Sequence, residues 1–386
     1  DAASHAILAT PLASLAANGY LGVDLFFLIS GFLLALPWFV HAARHREAPP
    51  ALAFSRRRFW RIVPAYYVQL AVLFALILPA LHGIRYWRSD LWVDLFNVAA
   101  HALFLHNTTP LTSGSMQVNG ALWTLAVEAQ FYVLLPFAML AMVRWPRACL
   151  VAAIAAAQAW RVAAQVDLAP LVSLEMWIGA HWSWPEDTVR SLLAHQLPAY
   201  LGHFALGMYL GKLWLDLRGR RVPRRMLDMA GLLAILGLAV CLAHGWPPGA
   251  LAWTVAPIAL ALPLFAAARE GTWISAALTR GPLAFLGRVS YSIYLYHLPL
   301  LILFAASLDA LGLAALPAYV AVVTLVGWVS WRVVEEPWRR RGRPRAALAA
   351  RAPADSERGS DGEQLQGGDA PEHLREAARV HEGAEH

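Results

Sequence analysis

The sequence predicts an all-α, polytopic integral membrane protein with about ten membrane-spanning helices and one re-entrant or interfacial segment. Three observations carry that prediction. Apolar residues make up 59% of the chain and charged residues only 15%, against roughly a quarter charged in soluble domains. Apolar runs of spanning length recur along the chain, and a bilayer core of about 30 Å demands roughly 20 residues each. The 17 tryptophans suit the headgroup interface, where indole rings gather.

The first apolar run, 1–17, is short, opens on Asp1 and ends in Asn18-Gly19. It reads as a span whose start is missing; a cleaved signal is the other reading. Further spans are expected at 20–40, 62–82, 121–143, 148–164, 196–215, 227–244, 250–268, 284–306 and 314–334. Arginine clusters separate some of them: Arg44 to Arg61, Arg144 with Arg147, Arg218 to Arg225, Arg269 with Arg280 and Arg288, and Arg339 to Arg345. Basic loops stay in the cytoplasm. The 165–195 loop carries Asp167, Glu175, Glu186 and Asp187 against Arg190 alone and belongs on the other side. The 83–90 loop, with Arg85 and Arg88, fits this rule less well.

Parity then constrains the path. Arg61 and Arg144 share a side, so an even number of crossings separates them. Spans 62–82 and 121–143 supply two, and 91–106, with Asp94, Asn97, His101 and His106, must not cross. Such a segment is tolerated only when protein satisfies its backbone. Both termini are expected in the cytoplasm. Residues 1–345 form the membrane domain. Residues 346–386, nine acidic and four basic with few large apolar side chains, read as a disordered acidic tail. Cys149 and Cys241 lie in apolar runs without metal-ligand spacing. Nothing suggests nucleic-acid binding, a metal or an internal repeat.

Ionisable groups inside a bilayer are costly and mark function by default. In Gly22 to Phe32, Asp24 sits near one end of a span and Ser30 and Gly31 lie deeper, where small residues let helices approach. Helix packing with a snorkelling Asp24 competes with a functional role. Arg57, Arg58 and Arg61 share a helical face at the cytoplasmic entrance of a span. Guanidinium forks bind phosphates bidentately, and a membrane anchor explains them equally well. Glu128 and Gln130 interrupt an apolar run, with Tyr132 one turn beyond Glu128. A buried carboxylate must be paired, hydrogen-bonded or neutral. Ser290, Tyr294 and His297 follow i, i+4, i+7 and form a polar stripe. His5, in the truncated first span, is a candidate general base near neutral pH.

Taken in order, Gly22 to Phe32, Arg57 to Pro64, Trp123 to Tyr132, Ser290 to His297 and Glu335-Glu336-Pro337 resemble the motifs of acyltransferase family 3 of bacterial membrane proteins, over essentially residues 1–341. Thr124 stands where that family usually has serine. The resemblance implies transfer of acetyl or another short acyl group from cytoplasmic acyl-CoA to a hydroxyl, in the bacterial inner membrane. It makes His5 the family's first-span histidine; the arginine that family members carry eleven positions earlier would precede Asp1. Acceptors in the family are usually sugars of surface or exported glycans, with macrolide-like molecules as the other class. His5 would draw the proton from the acceptor hydroxyl, which attacks the thioester directly or after transient acylation of the enzyme. Glu128 would orient or charge-balance His5, and Arg57, Arg58 and Arg61 would grip the CoA phosphates. The competing classes are a transporter or flippase for a lipid-linked glycan, which would use no acyl-CoA, and a non-enzymatic scaffold, against which the intramembrane His and Glu argue.

Overall fold

A computed structural model describes residues 21–83, 91–109, 112, 118–165, 186–220, 222–243 and 252–342; the first apolar run with His5, most of the acidic loop and the acidic tail lie outside the described residues. Every regular element among the described residues is helical. We number them α1 (Leu21–Ala43), α2 (Ala51–Val72, continued by a π-helical turn Leu73–Ile77 and by Leu78–His82), α3 (Leu91–Ala102), α4 (Leu122–Arg144), α5 (Pro146–Gln165), α6 (Glu186–Ala194), α7 (Leu197–Asp216), α8 (Arg224–Ala243), α9 (Ala252–Ala267), α10 (Trp273–Leu278), α11 (Gly281–Leu311) and α12 (Leu316–Ser330, continued by a π-helical turn Trp331–Glu335 and by Glu336–Arg341).

Seven of these, α1, α2, α4, α5, α8, α11 and α12, are long and apolar enough to cross a membrane. α7 has comparable length but is interrupted by His203, Lys212 and Asp216. α9 is shorter, at 16 residues. Leu76, Trp92, Phe137, Leu140, Val151 and Leu233 point outward, each more than 60% exposed. An apolar exterior of this kind marks a membrane surface.

Local chemistry sets most boundaries. Trp145 leaves helical geometry immediately before Pro146, because a residue preceding proline is pushed out of the α region. That break separates α4 from α5. Pro198 occupies the first turn of α7, where its missing N–H costs nothing. α2 starts at Ala51, eleven residues before the expected 62. Arginine is a good helix former, so the polar stretch that ended the apolar pattern does not end the helix. The arginine motif therefore lies within a helix, two to three turns from its start.

The centre of the fold is the contact between α1 and α7. A Cβ on Gly207 would lie 2.1 Å from the Leu28 carbonyl oxygen, and one on Gly31 would lie 2.3 Å from that of Phe204. The backbones touch because neither position carries a side chain. Phe27, Phe131, Phe204 and Tyr200 fill the space beside this seam.

Asp24 meets His203, Leu28 meets Gly207 and Phe32 meets Gly211, so α1 and α7 run parallel. An odd number of crossings must then separate them. α2, α4 and α5 supply three, and α3 is too short to count among the candidate spans. Its 12 residues reach only about 18 Å. Protein holds it in place: Tyr66 OH donates to the His101 carbonyl at 2.9 Å and Tyr67 OH to that of Ala102 at 2.8 Å. The arginine-rich ends consequently share one face. Val40 at the end of α1 packs on the same apolar cluster as Leu217 and Leu227, and Trp60 of α2 stacks on Trp338 of α12 at 5.2 Å.

Candidate active site

The site is built where α1, α2 and α4 meet. Glu128 on α4 is 5% exposed. Its Oε1 accepts from Ser30 Oγ of α1 at 3.2 Å and from Tyr132 OH one turn along its own helix. Charge balance comes from α2, where the guanidinium groups of Arg61 and Arg58 act on Glu128 electrostatically. Arg58 also lies over the Phe54 ring at 5.8 Å, and Phe54 meets Tyr132 edge-on at 6.2 Å. An isolated carboxylate would be prohibitively costly at this depth. Two hydroxyl donors and two nearby cations make it tolerable. Five of the residues singled out in the sequence, Ser30, Arg58, Arg61, Glu128 and Tyr132, therefore belong to one cluster.

The remaining candidates stand apart. Arg57 is half-buried next to Arg58 on α2. Tyr294 donates to the Ala121 carbonyl at 2.8 Å and pairs with Thr124 Oγ1 at 2.5 Å, tying α11 to the start of α4. Thr124 supplies the hydroxyl that the family's serine would. His297 turns its Nδ1 to the Tyr294 carbonyl at 2.7 Å. The polar stripe is only partial: Ser290 is exposed and its hydroxyl returns to its own helix at Gly287. Ser292 is the buried serine of that segment. His5 lies outside the described residues.

Two pairings could not be read from the sequence. The first involves a second carboxylate under the influence of Arg61. Glu335, 6% exposed, accepts from Ser292 Oγ at 2.8 Å and lies within the electrostatic reach of Arg61. The π-helical turn Trp331–Glu335 rotates it inward, while Glu336 turns to Arg339 and Arg340. The two adjacent glutamates look equivalent in sequence, and only the extra backbone turn separates them. The second is Asp24. It does not snorkel: it is 2% exposed and lies 3.0 Å from His203 Nε2, with Arg161 of α5 in electrostatic reach. His203 and Arg161 were visible as charges in apolar runs, but nothing in the sequence links them to Asp24 across more than a hundred residues.

The α6–α7 corner packs against the start of α4. His195 meets Trp123 edge-on at 4.7 Å, and burial pushes its imidazole below the usual range. Gln130 donates to Asn107 Oδ1 at 3.0 Å and Gln196 to the Thr108 carbonyl at 3.0 Å. These bonds pin the segment after α3 against α4 and α7. Two cavities, of about 460 and 430 Å3, open at the arginine-rich face beside Lys212 and beside Arg218. No group of three or more metal-ligating side chains occurs among the described residues.

Fold and site together define a multi-pass membrane protein with a buried carboxylate–arginine centre. The chain belongs to acyltransferase family 3: the profile of the family's acyltransferase domain matches residues 2–332. It is 30% identical to the exopolysaccharide production protein ExoZ of Rhizobium meliloti, over 86% of this chain and 95% of that one. It is 24% identical to the O-acetyltransferase OatA of Staphylococcus aureus and 25% identical to the peptidoglycan O-acetyltransferase OatA of Listeria monocytogenes. Those matches cover 84% and 85% of this chain, which spans about half the length of either OatA protein, 53% in each case. No solved structure matches.

Proposed function

We propose that this acyltransferase moves an acetyl group from acyl-CoA to a sugar hydroxyl of a surface or exported glycan, in the bacterial inner membrane. The observation that carries this reading is the Glu128 carboxylate, buried between Ser30 and Tyr132 and faced by Arg58 and Arg61. Acetyl as the group, and a glycan as the acceptor, follow from the names of ExoZ and the OatA proteins.

In this mechanism the acceptor oxygen attacks the thioester carbonyl carbon. The C–S bond breaks, and the hydroxyl proton passes through His5 to the departing sulfur. Glu128 orients His5 and balances the imidazolium. Arg57, Arg58 and Arg61 hold the CoA phosphates, since α2 brings them in from the arginine-rich face. That face is cytoplasmic, about ten helices cross the membrane, and both termini lie in the cytoplasm.

Mass analysis of surface glycans tests the reading. Deleting the gene removes acetyl groups, and the intact chain restores them. His5→Gln, which keeps size and hydrogen bonding but takes no proton, fails to restore them. General-base help is worth roughly 10²–10⁴-fold, so transfer above about a tenth of the normal rate removes His5 from that role. Glycan that crosses the membrane unmodified, without thioester consumption by the purified protein, would assign the chain to transport instead.

A further inference from the structure

The group around Arg161 is unused by the mechanism above. Arg161 is 4% exposed in the membrane half away from the arginine-rich face. Its guanidinium lies over the rings of Trp253 at 4.4 Å and Tyr200 at 5.1 Å. Behind it lies the Asp24 carboxylate, paired with His203 and within electrostatic reach of Arg161. A crevice of about 20 Å3 between α5, α7 and α9 is lined by Arg161, Gln158, His203, Trp253 and Thr254. That volume admits a single water-sized group.

Besides His203 Nε2, which lies 3.0 Å from Asp24 Oδ1, two buried atoms of its lining have no hydrogen-bond partner among the described residues: Arg161 Nη2, a donor, and Gln158 Oε1, an acceptor. They stand three residues apart on one helix, on the same face. The other end of the Gln158 amide is fixed, since Nε2 donates to Thr254 Oγ1, and this leaves Oε1 pointing as an acceptor. Buried polar groups are normally satisfied. A hydroxyl meets both needs at once: its oxygen accepts from Arg161 Nη2 and its proton goes to Gln158 Oε1. A carboxylate only accepts and an ammonium only donates, so neither satisfies the pair.

We propose that this crevice is a hydroxyl-binding subsite and that it seats one hydroxyl of the sugar acceptor. The proposal rests on the acyltransfer reading for the identity of that hydroxyl, but not for the chemistry of the site. Water offers the same chemistry, and the two sources are separable.

The first arm is cryo-electron microscopy of the full chain in lipid nanodiscs, at a resolution that shows ordered water. Density within hydrogen-bond distance of both Arg161 Nη2 and Gln158 Oε1 is expected. An empty crevice overturns the subsite, whatever the enzyme does. The second arm uses acetyl-CoA and unmodified glycan from a deletion strain. Gln158→Leu should raise the KM for glycan roughly threefold to tenfold, the worth of a hydrogen bond, and leave the KM for acetyl-CoA unchanged. Arg161→Lys, which keeps the charge but not the Nη2 position, should show the same split. A glycan KM unchanged in both variants assigns the crevice to water and overturns the acceptor role. Parallel changes in both KM values assign these residues to structure and overturn it too. Absence of any transfer by the wild-type chain sinks the acyltransfer reading and the acceptor role with it, while the density still decides the subsite.

Discussion

At the scale of single residues, the informative groups are those whose charge cannot be hydrated. Glu128 is legible in the sequence because a lone carboxylate in an apolar run must have partners. Which partners it has is not legible: Ser30 lies 98 positions away and only helix packing brings it near. Arg61 acts electrostatically on two carboxylates, Glu128 and Glu335. Arg61→Ala should weaken acyl-CoA binding roughly tenfold to a hundredfold, the loss of a charge-assisted contact of about 1.5–3 kcal/mol. Calorimetry on purified protein in detergent measures this, and unchanged affinity would return the arginines to a membrane-anchor role. The stacked pair His101 and His106, with ring centroids 4.3 Å apart, supports a second expectation. Burial lowers His101 from 6.5 to about 4, opposed by its bond to the Asn97 carbonyl, and holds His106 well below its usual range. Above pH 6.5 both states leave His101 neutral and it adds no pH dependence. Between 6.5 and 4 the unfolded chain takes up the proton and the folded one does not, so stability falls with pH. For His101 alone the loss is on the order of 3 kcal/mol. Melting temperature followed from pH 7 to 4.5 should decline, and His101→Gln should flatten the curve.

At the scale of elements, the α1–α7 seam and the π-helical turns do the positioning. Gly207 and Gly211 form a small-xxx-small pair, a signal that the sequence contains and that membrane helices use for close approach. Gly207→Ala would drive a methyl group into the Leu28 carbonyl and force the helices apart. Overpacking of this kind costs about 1–3 kcal/mol. A lower melting temperature is expected, together with a loss of transfer larger than destabilisation accounts for, because α1 carries both Ser30 and Asp24. A variant as active and stable as wild type would show that the seam tolerates displacement. The π-helical turn before Glu336 leaves no pattern in the sequence: the apolar spacing around Trp331–Glu335 suits an ordinary helix.

At the scale of the whole molecule, the parallel course of α1 and α7 requires an odd number of crossings between them. Single cysteines placed near residues 180 and 246 should react with an impermeant label from outside the cell, and those near 221 and 343 should not. Outside labelling at 221 would invert the arrangement. The sequence by itself determined the class of fold, most of the helices and several of the residues that cluster around Glu128. It could do so because spanning length, arginine placement and the cost of buried charge are local or additive properties of the chain. The tertiary structure alone decided that Asp24 is buried against His203 rather than hydrated, that Glu335 rather than Glu336 faces Arg61, and that Ser290 leaves the stripe while Ser292 enters the core. Each of those depends on which helix stands opposite and on a rotation of about one residue, and in a bilayer the pairing of charges between helices distant in sequence is settled only when they pack.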